Sequence, residues 1–268
     1  SHAHYPQGDQ VPGENLTRIE AAERAGLLSV ESYRIELDLT SSETTFRSKT
    51  TVRFGSTSVG ASTFIDAITS KVHSITLNGE SLDVALADGV RIALPNLAAE
   101  NELVVDADMF YMNTGEGLHR FVDPADGEVY LYSQFEVPDS RRVYSVFEQP
   151  DLKATFQFVV TAPSRWTVIS NQTTPPLAIG DEKSVWTFEP TQRMSSYITA
   201  MIAGPYVGEV SSLVSSSGKT IPLGFYCRAS LKQYLDHDYL FDITRKGFEF
   251  FEKTFNTPYP FEKYDQIM

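Results

Sequence analysis

The sequence predicts a mainly β protein. A large antiparallel β domain, sandwich-like or strongly curved, is followed by the start of a second unit made of strands and one helix. Three observations carry this. Between Val30 and Val210, apolar and polar residues alternate in about ten to fourteen short runs separated by turn residues. Helical periods are scarce in that stretch. One long helical period then appears near the C-terminal end, in "DHDYLFDITRKGFEFFEKTFN".

The elements follow in order. In "ENLTRIEAAERAGLL" charged residues alternate in blocks with Ala and Leu, which predicts a short helix over 17–24. "SYRIELDLT" sends Tyr33, Ile35, Leu37 and Leu39 to one side and Arg34, Glu36, Asp38 and Thr40 to the other, a half-buried strand. "FRSKTTVRF" repeats the pattern with Phe46, Thr50, Val52 and Phe54. Asn78-Gly79 between two apolar-periodic runs predicts a tight hairpin, because both residues tolerate positive φ. "GVRIALP" and "ELVVDADMFY" add strands, and Asp123 to Gly127 form a turn into "EVYLYSQF". "ATFQFVVTAP", "WTVISN", "SVWTFEP" and "SYITAMIAGPYVGEV" continue the series. "VSSSGKTIPLG" is small and polar, so it reads as a linker or a hairpin tip. In the final helix, Leu240, Ile243, Gly247, Phe250, Phe251 and Thr254 trace one face, Asp236 or Asp238 caps the start, and Pro258 stops the end. The expected domains are 1–206 and 207–268, the second one incomplete.

Composition excludes several function classes. A chain of 268 residues buries enough surface to need no covalent staples. Its single cysteine, Cys227, excludes an internal disulfide and suits a reducing, cytoplasmic setting. A net charge of −13 argues against nucleic acid and against anionic lipid surfaces. No run approaches the roughly 20 apolar residues of a membrane helix. The opening Ser-His-Ala-His reads as an expression-tag remnant, which removes His2 and His4 as candidate ligands.

The remaining histidines, His73, His119 and His237, lack metal-ligand spacing, and no Cys-x-x-Cys or Gly-x-Ser-x-Gly occurs. Each imidazole is expected to be exposed or locally bonded. Cys227 lies in an apolar run and is expected to be buried and inert. Asn15-Leu16-Thr17 and Asn171-Gln172-Thr173 match the glycosylation pattern, a weak signal.

The most informative stretch is "YLYSQFEVPDSRRVYSVFEQPDLKATF", Tyr130 to Phe156. Alternation places Tyr130, Tyr132, Gln134 and Glu136 on one side of a strand, and Val129, Leu131, Ser133 and Phe135 on the core side. Two readings of the first row stand. Aromatic rings beside an amide and an acid suit a ligand carrying an amine and an apolar side chain. The other, which the pattern alone favours, is an exposed strand face whose Glu136 pairs with Arg141 or Arg142.

The stretch "SQFEVPDSRRVYSVFEQPDLKATFQFVV" resembles the N-terminal domain signature of the M1 family of zinc aminopeptidases. "NLTRIEAAERAGLLSVESYRIELDLT", "RWTVISN", "SSYITAMIAGPY" and "TPYPFEKYDQIM" agree with it along most of the chain. One departure is Phe147-Glu148-Gln149-Pro150, where many members have Asp-Glu before the proline; a turn of the same shape is expected. The resemblance implies a curved N-terminal β domain and then the start of a thermolysin-like catalytic domain. It implies that Glu136 binds the α-amine of a peptide substrate and that Gln134 helps form the first side-chain pocket. Arg141 and Arg142 remain structural, holding the turn. The zinc ligands, including the His-Glu-x-x-His pair, are expected after residue 268, so this chain has neither catalytic nor metal residues and is expected to be inactive alone. The implied partners are peptides with a free N-terminus, and the chain is expected to self-associate through Phe248, Phe250, Phe251 and Phe255. The alternative is a non-catalytic β-sandwich module for binding or scaffolding.

Overall fold

The computed structural model describes residues 15–135, 139–172 and 174–268. His2, His4, Glu136 and Thr173 therefore lie outside the described residues. Helix α1 (Arg18–Leu27) runs directly into β1 (Leu28–Asp38), which returns through β2 (Thr45–Ser56). Next come β3 (Thr63–Asp66), β4 (Lys71–Leu77), β5 (Glu80–Leu82), β6 (Arg91–Leu94) and β7 (Glu100–Phe110). The hairpin of β8 (Gly117–Val122) and β9 (Val129–Gln134) leads into β10 (Thr155–Pro163), β11 (Thr167–Ser170), β12 (Pro176–Ala178), β13 (Lys183–Thr187) and β14 (Met201–Gly204). A second hairpin, β15 (Val207–Val214) with β16 (Thr220–Cys227), is followed by α2 (His237–Phe255) and β17 (Tyr264–Ile267).

The first fourteen strands build three sheets. The largest has the order β12-β13-β10-β1-β2-β7-β4-β5, beside a four-stranded sheet β11-β14-β9-β8 and the pair β3-β6. Pairing is antiparallel except between β1 and β10, which run parallel from Ser32↔Thr155 to Asp38↔Thr161. Parallel neighbours need a long crossover, and the chain from β2 to β9 supplies it. The alternating residues behave as their period demands: Tyr33, Ile35, Leu37, Phe46, Val52 and Phe54 are buried. One continuous core unites them with Ile65 and Ile92 of the two-stranded sheet and Leu118, Leu131 and Met201 of the four-stranded one. Asn78 and Gly79 both take positive φ, +54° and +81°, and turn β4 into β5.

Helix α1 is longer than its charge pattern suggests. Thr17 caps it, accepting from the Glu20 amide at 3.1 Å while the Glu20 carboxylate accepts from the Thr17 amide at 3.4 Å. The helix continues through Ala25 and Gly26 to Leu27. Its purpose in the fold lies in Arg24, only 2% exposed. The guanidinium donates to Asp66 Oδ2 at 2.8 Å, to Gln149 Oε1 at 2.5 Å and to the Phe64 carbonyl at 3.2 Å. It also stacks over the Phe64 ring, 4.5 Å from the centroid. A buried cation is tolerated only when paired and hydrogen-bonded, and here each of the three guanidinium nitrogens donates one bond.

A separate small core holds Leu213, Ile221, Leu223, Phe225 and Phe241, backed by Leu240, Phe248, Tyr259 and Tyr264. The Ser215–Gly218 stretch is a hairpin tip, since β15 and β16 pair from Val207↔Cys227 to Val214↔Thr220. Asp236 is the cap of α2, accepting from the Tyr239 amide at 3.1 Å. The docked face of α2 differs from the expected one. His237, Phe241, Thr244 and Glu252 are buried there, with Phe248 packed on Tyr259 and Tyr264. Ile243, Phe250 and Phe251 instead lie on the exposed side, Phe250 at 72%. That face joins Leu240, Phe241 and Phe248 to Glu252, a polar residue that a hydrophobic count discards. Its carboxylate accepts from Ser215 Oγ at 2.7 Å and Ser216 Oγ at 2.6 Å, and from the Tyr259 amide at 3.3 Å. Hydroxyl and amide donors outweigh the unfavourable placement of an anion in the last turn of a helix.

Two stability predictions follow from these anchors. Arg24→Ala leaves the buried Asp66 with only the Glu148 amide at 3.1 Å and the distant Arg91 Nε at 3.9 Å, and should cost about 3 kcal/mol in urea denaturation; a loss below about 1 kcal/mol would show that the pair contributes little. The bonds from Ser216 and Ser215 hold the Glu252 carboxyl below its ordinary value of 4.5. A depressed carboxylate stabilises the fold above its unfolded pKa and loses that contribution as pH falls through the folded one. The Tm gap between the native protein and Glu252→Gln should therefore be widest near neutrality and shrink below pH 4.5; a gap independent of pH contradicts the carboxylate role.

Candidate functional site

The β8–β9 hairpin presents the outward row that the alternation predicts, with one change. Tyr130 is 1% exposed rather than ligand-facing. Its ring packs edge-on against Tyr206, centroids 4.9 Å apart, and its hydroxyl accepts from the Ala229 amide at 3.1 Å. The segment after β16 covers it, and strand periodicity carries no signal for such a long-range contact. On the opposite side, Leu131 and Phe135 are buried as expected, and Ser133 Oγ accepts from the Met201 amide at 2.8 Å. The described part of the outward row is thus Tyr132 and Gln134, both exposed, at the end of a strand.

Tyr132 stacks on His119 across the hairpin, centroids 4.7 Å apart and planes at 22°. His119 Nδ1 accepts from the Gly115 amide at 2.9 Å, which leaves the proton of the neutral ring on Nε2. Partial burial pushes its pKa down, favouring that neutral form. Gln134 pairs with Gly117. Gly117 has φ +61°, and a Cβ there would stand 2.8 Å from Arg142 Cβ. The glycine therefore lets the Arg142 stem lie directly against the strand opposite Gln134. Arg142 is held by Asp139 Oδ1 at 3.1 Å and Glu116 Oε2 at 3.4 Å.

Downstream, the chain turns through a short 3₁₀ segment, Ser140–Arg142, which is tied to the Phe147–Pro150 turn. Glu148, 6% exposed, points inward. Its carboxylate accepts from the Ser140 amide at 2.8 Å, the Ser140 hydroxyl and the Arg141 amide at 3.1 Å. Burial pushes the Glu148 pKa up, and these donors oppose that. The Glu148 amide in turn donates to Asp66 Oδ2 at 3.1 Å, joining the Arg24 network. Gln149 completes it: Oε1 accepts from Arg24 while Nε2 donates to the Ala21 carbonyl at 2.9 Å. That second bond needs an amide; a glutamate at this position has no proton to give. Sequence reading missed Glu148 and Gln149 as organisers. The only signal was two polar residues inside an otherwise apolar turn.

The remaining candidates find ordinary roles. His73 Nε2 lies 3.0 Å from Asp108, and His237 Nδ1 lies 3.3 Å from Glu209. Cys227 is fully buried and burial raises its thiol pKa. The Asn171 side chain is spent on backbone, donating to the Ile198 carbonyl at 3.0 Å and accepting from the Ala200 amide at 2.8 Å. Among the described residues no three His, Cys, Asp or Glu side chains are grouped to hold a metal ion, and no helix is long and apolar enough to cross a membrane.

The chain is 56% identical over 261 residues to Aminopeptidase N of Streptomyces lividans, covering 96% of this chain and 30% of that protein. It is 28% identical over 171 residues to Aminopeptidase N of Rattus norvegicus, 63% of this chain and 17% of the relative. Aminopeptidase 2, mitochondrial, of Saccharomyces cerevisiae is 32% identical over 150 residues, 55% of this chain and 15% of that protein. The chain thus spans less than a third of the length of these relatives. Residues 29–198 match the model of the Peptidase M1 N-terminal domain. With that match covering most of the chain, the protein belongs to the M1 peptidase family and carries its N-terminal domain.

Proposed function

We propose that this chain is the substrate-anchoring N-terminal part of a zinc-dependent aminopeptidase that removes N-terminal residues from peptides. The observation that carries the reading is the 56% identity to a protein named Aminopeptidase N over nearly the whole chain. An exposed Gln134 at the end of β9 supports it. We read 1–206 as the N-terminal β domain and 207–268 as the start of the catalytic domain; the two separate buried cores support that division. The lone cysteine suits a reducing, cytoplasmic setting.

In this reading Glu136 is the amine anchor and Gln134 lines the first side-chain pocket. A peptide α-amine has a pKa of about 7.7–8.0, so much of it is charged at neutral pH. A carboxylate facing it gains about 1.5–3 kcal/mol from a charge-assisted hydrogen bond. That corresponds to roughly a ten- to hundredfold preference for a free amino terminus. Zinc, when bound, polarises the scissile carbonyl and its water. The donors described here do not fit that ion: the three histidines are engaged locally and Cys227 is sealed in the core. Its ligands are expected elsewhere in a longer protein, and the chain alone should not cleave.

In the full enzyme Glu136→Ala should lower kcat/KM for amino-acid anilides by about tenfold or more; an unchanged value removes Glu136 from the site. The exposed stripe of Phe250, Phe251 and Phe255 supports self-association of the isolated chain. Analytical ultracentrifugation should show mass rising with concentration, and a monomer at every concentration would count against it.

A further inference from the structure

We infer that Tyr132 is a specificity-determining residue of the proposed aminopeptidase site: its ring walls an apolar recess that takes an aromatic or long apolar first side chain of the peptide. The inference rests on the reading of Gln134 as a residue of the first side-chain pocket. Tyr132 and Gln134 stand two residues apart on β9, so their side chains leave the same face, about 7 Å apart along the strand. The neighbouring strands place His119 and Ile202 level with Tyr132, one on each side. The Tyr132 ring lies on His119, centroids 4.7 Å apart, and that imidazole is fixed by the Gly115 amide at 2.9 Å. With one face covered, the ring turns its other face toward β14. There Tyr132 and Ile202 border a recess of about 460 Å³, which Phe121, Tyr130 and Tyr206 also line. Tyr132 is 38% exposed, so its ring is not spent on the core.

The chemistry of the lining selects the ligand. Polar groups deep in the recess are already engaged. The Tyr130 hydroxyl accepts from the Ala229 amide at 3.1 Å, and the Tyr206 hydroxyl donates to the Leu131 carbonyl at 3.4 Å. Ser133 Oγ accepts from the Met201 amide at 2.8 Å, and the Arg228 guanidinium lies 3.5 Å from Asp123 and 5.0 Å over the Phe121 ring. A charged side chain entering here loses water and gains no partner, which is unfavourable. An apolar side chain gains in proportion to the area it removes from water. An aromatic one gains further against the Tyr132 ring. Phenylalanine or leucine reaches into such a recess, whereas the methyl group of alanine fills little of it.

The experiment uses the full-length enzyme and compares phenylalanyl with alanyl anilide. The ratio of their kcat/KM values should fall about fivefold or more in Tyr132→Ala. In Tyr132→Phe, which keeps the ring, it should stay within about twofold of the native ratio. An unchanged ratio in Tyr132→Ala overturns the inference, and so does an equal loss with both anilides, the mark of a general structural effect. Should Tyr132→Ala not fold, Ile202→Ala decides. It cuts back the wall beside the ring and should lower the ratio about twofold or more; an unchanged ratio overturns the inference. Gln134→Ala separates this inference from the reading beneath it. An impaired Gln134→Ala beside an unchanged ratio in Tyr132→Ala overturns the recess alone. No effect of Gln134→Ala on either anilide removes the pocket itself, and the inference with it.

Discussion

The buried pair of Arg24 and Asp66 is the constraint on which the arrangement depends. Neither group survives in a core alone, because desolvating an unpaired charge costs several kcal/mol. Together with Gln149 and the Phe64 carbonyl they satisfy each other, and in doing so they join α1, β3 and the Phe147–Pro150 turn. The turn then presents Glu148 to the Ser140–Arg142 segment. An interaction between a helix near the N-terminus and a turn more than a hundred residues later thus determines where the candidate site's flank sits. Gln149 fits the same logic: its amide bridges the guanidinium and the Ala21 carbonyl, so α1 is tied to the turn by a neutral group.

Much of the β architecture was legible because alternation is a local property. Tyr33, Ile35, Phe46, Val52 and Phe54 are buried where period two places them, and Asn78-Gly79 turns where its φ tolerance allows. What escaped was whatever depends on distant chain. Tyr130 was hidden by Ala229 and Tyr206, β1 and β10 pair in parallel across more than a hundred residues, and α2 docks on a face that joins Phe241 and Phe248 to the polar Glu252. Periodicity counts apolar side chains; it assigns no weight to a carboxylate whose donors lie on a hairpin tip. The candidate site was readable in part for the same reason. Gln134 is exposed as its strand position demands, Glu136 lies outside the described residues, and Glu148 showed locally only as a polar residue in an apolar turn.

The β8–β9 hairpin also ties the two buried cores together. At its turn, Asp123 accepts from Ser230 Oγ at 2.6 Å and lies 3.5 Å from Arg228, whose guanidinium sits 5.0 Å over the Phe121 ring. These bonds, that from Ser230 foremost, hold the Asp123 carboxyl below the usual range. With the Tyr130 hydroxyl taking the Ala229 amide, the segment after β16 is held along the hairpin at two levels.

That attachment gives β9 a second job. A six-residue strand spans about 20 Å at the usual rise, and its two ends belong to different tasks. One end grips the segment leading to α2; the other carries Gln134. A strand flanked by hydrogen-bonded neighbours on both sides does not stretch, so it acts as a ruler. The distance between the Tyr130–Ala229 attachment and the exposed amide of Gln134 is therefore set by one short strand.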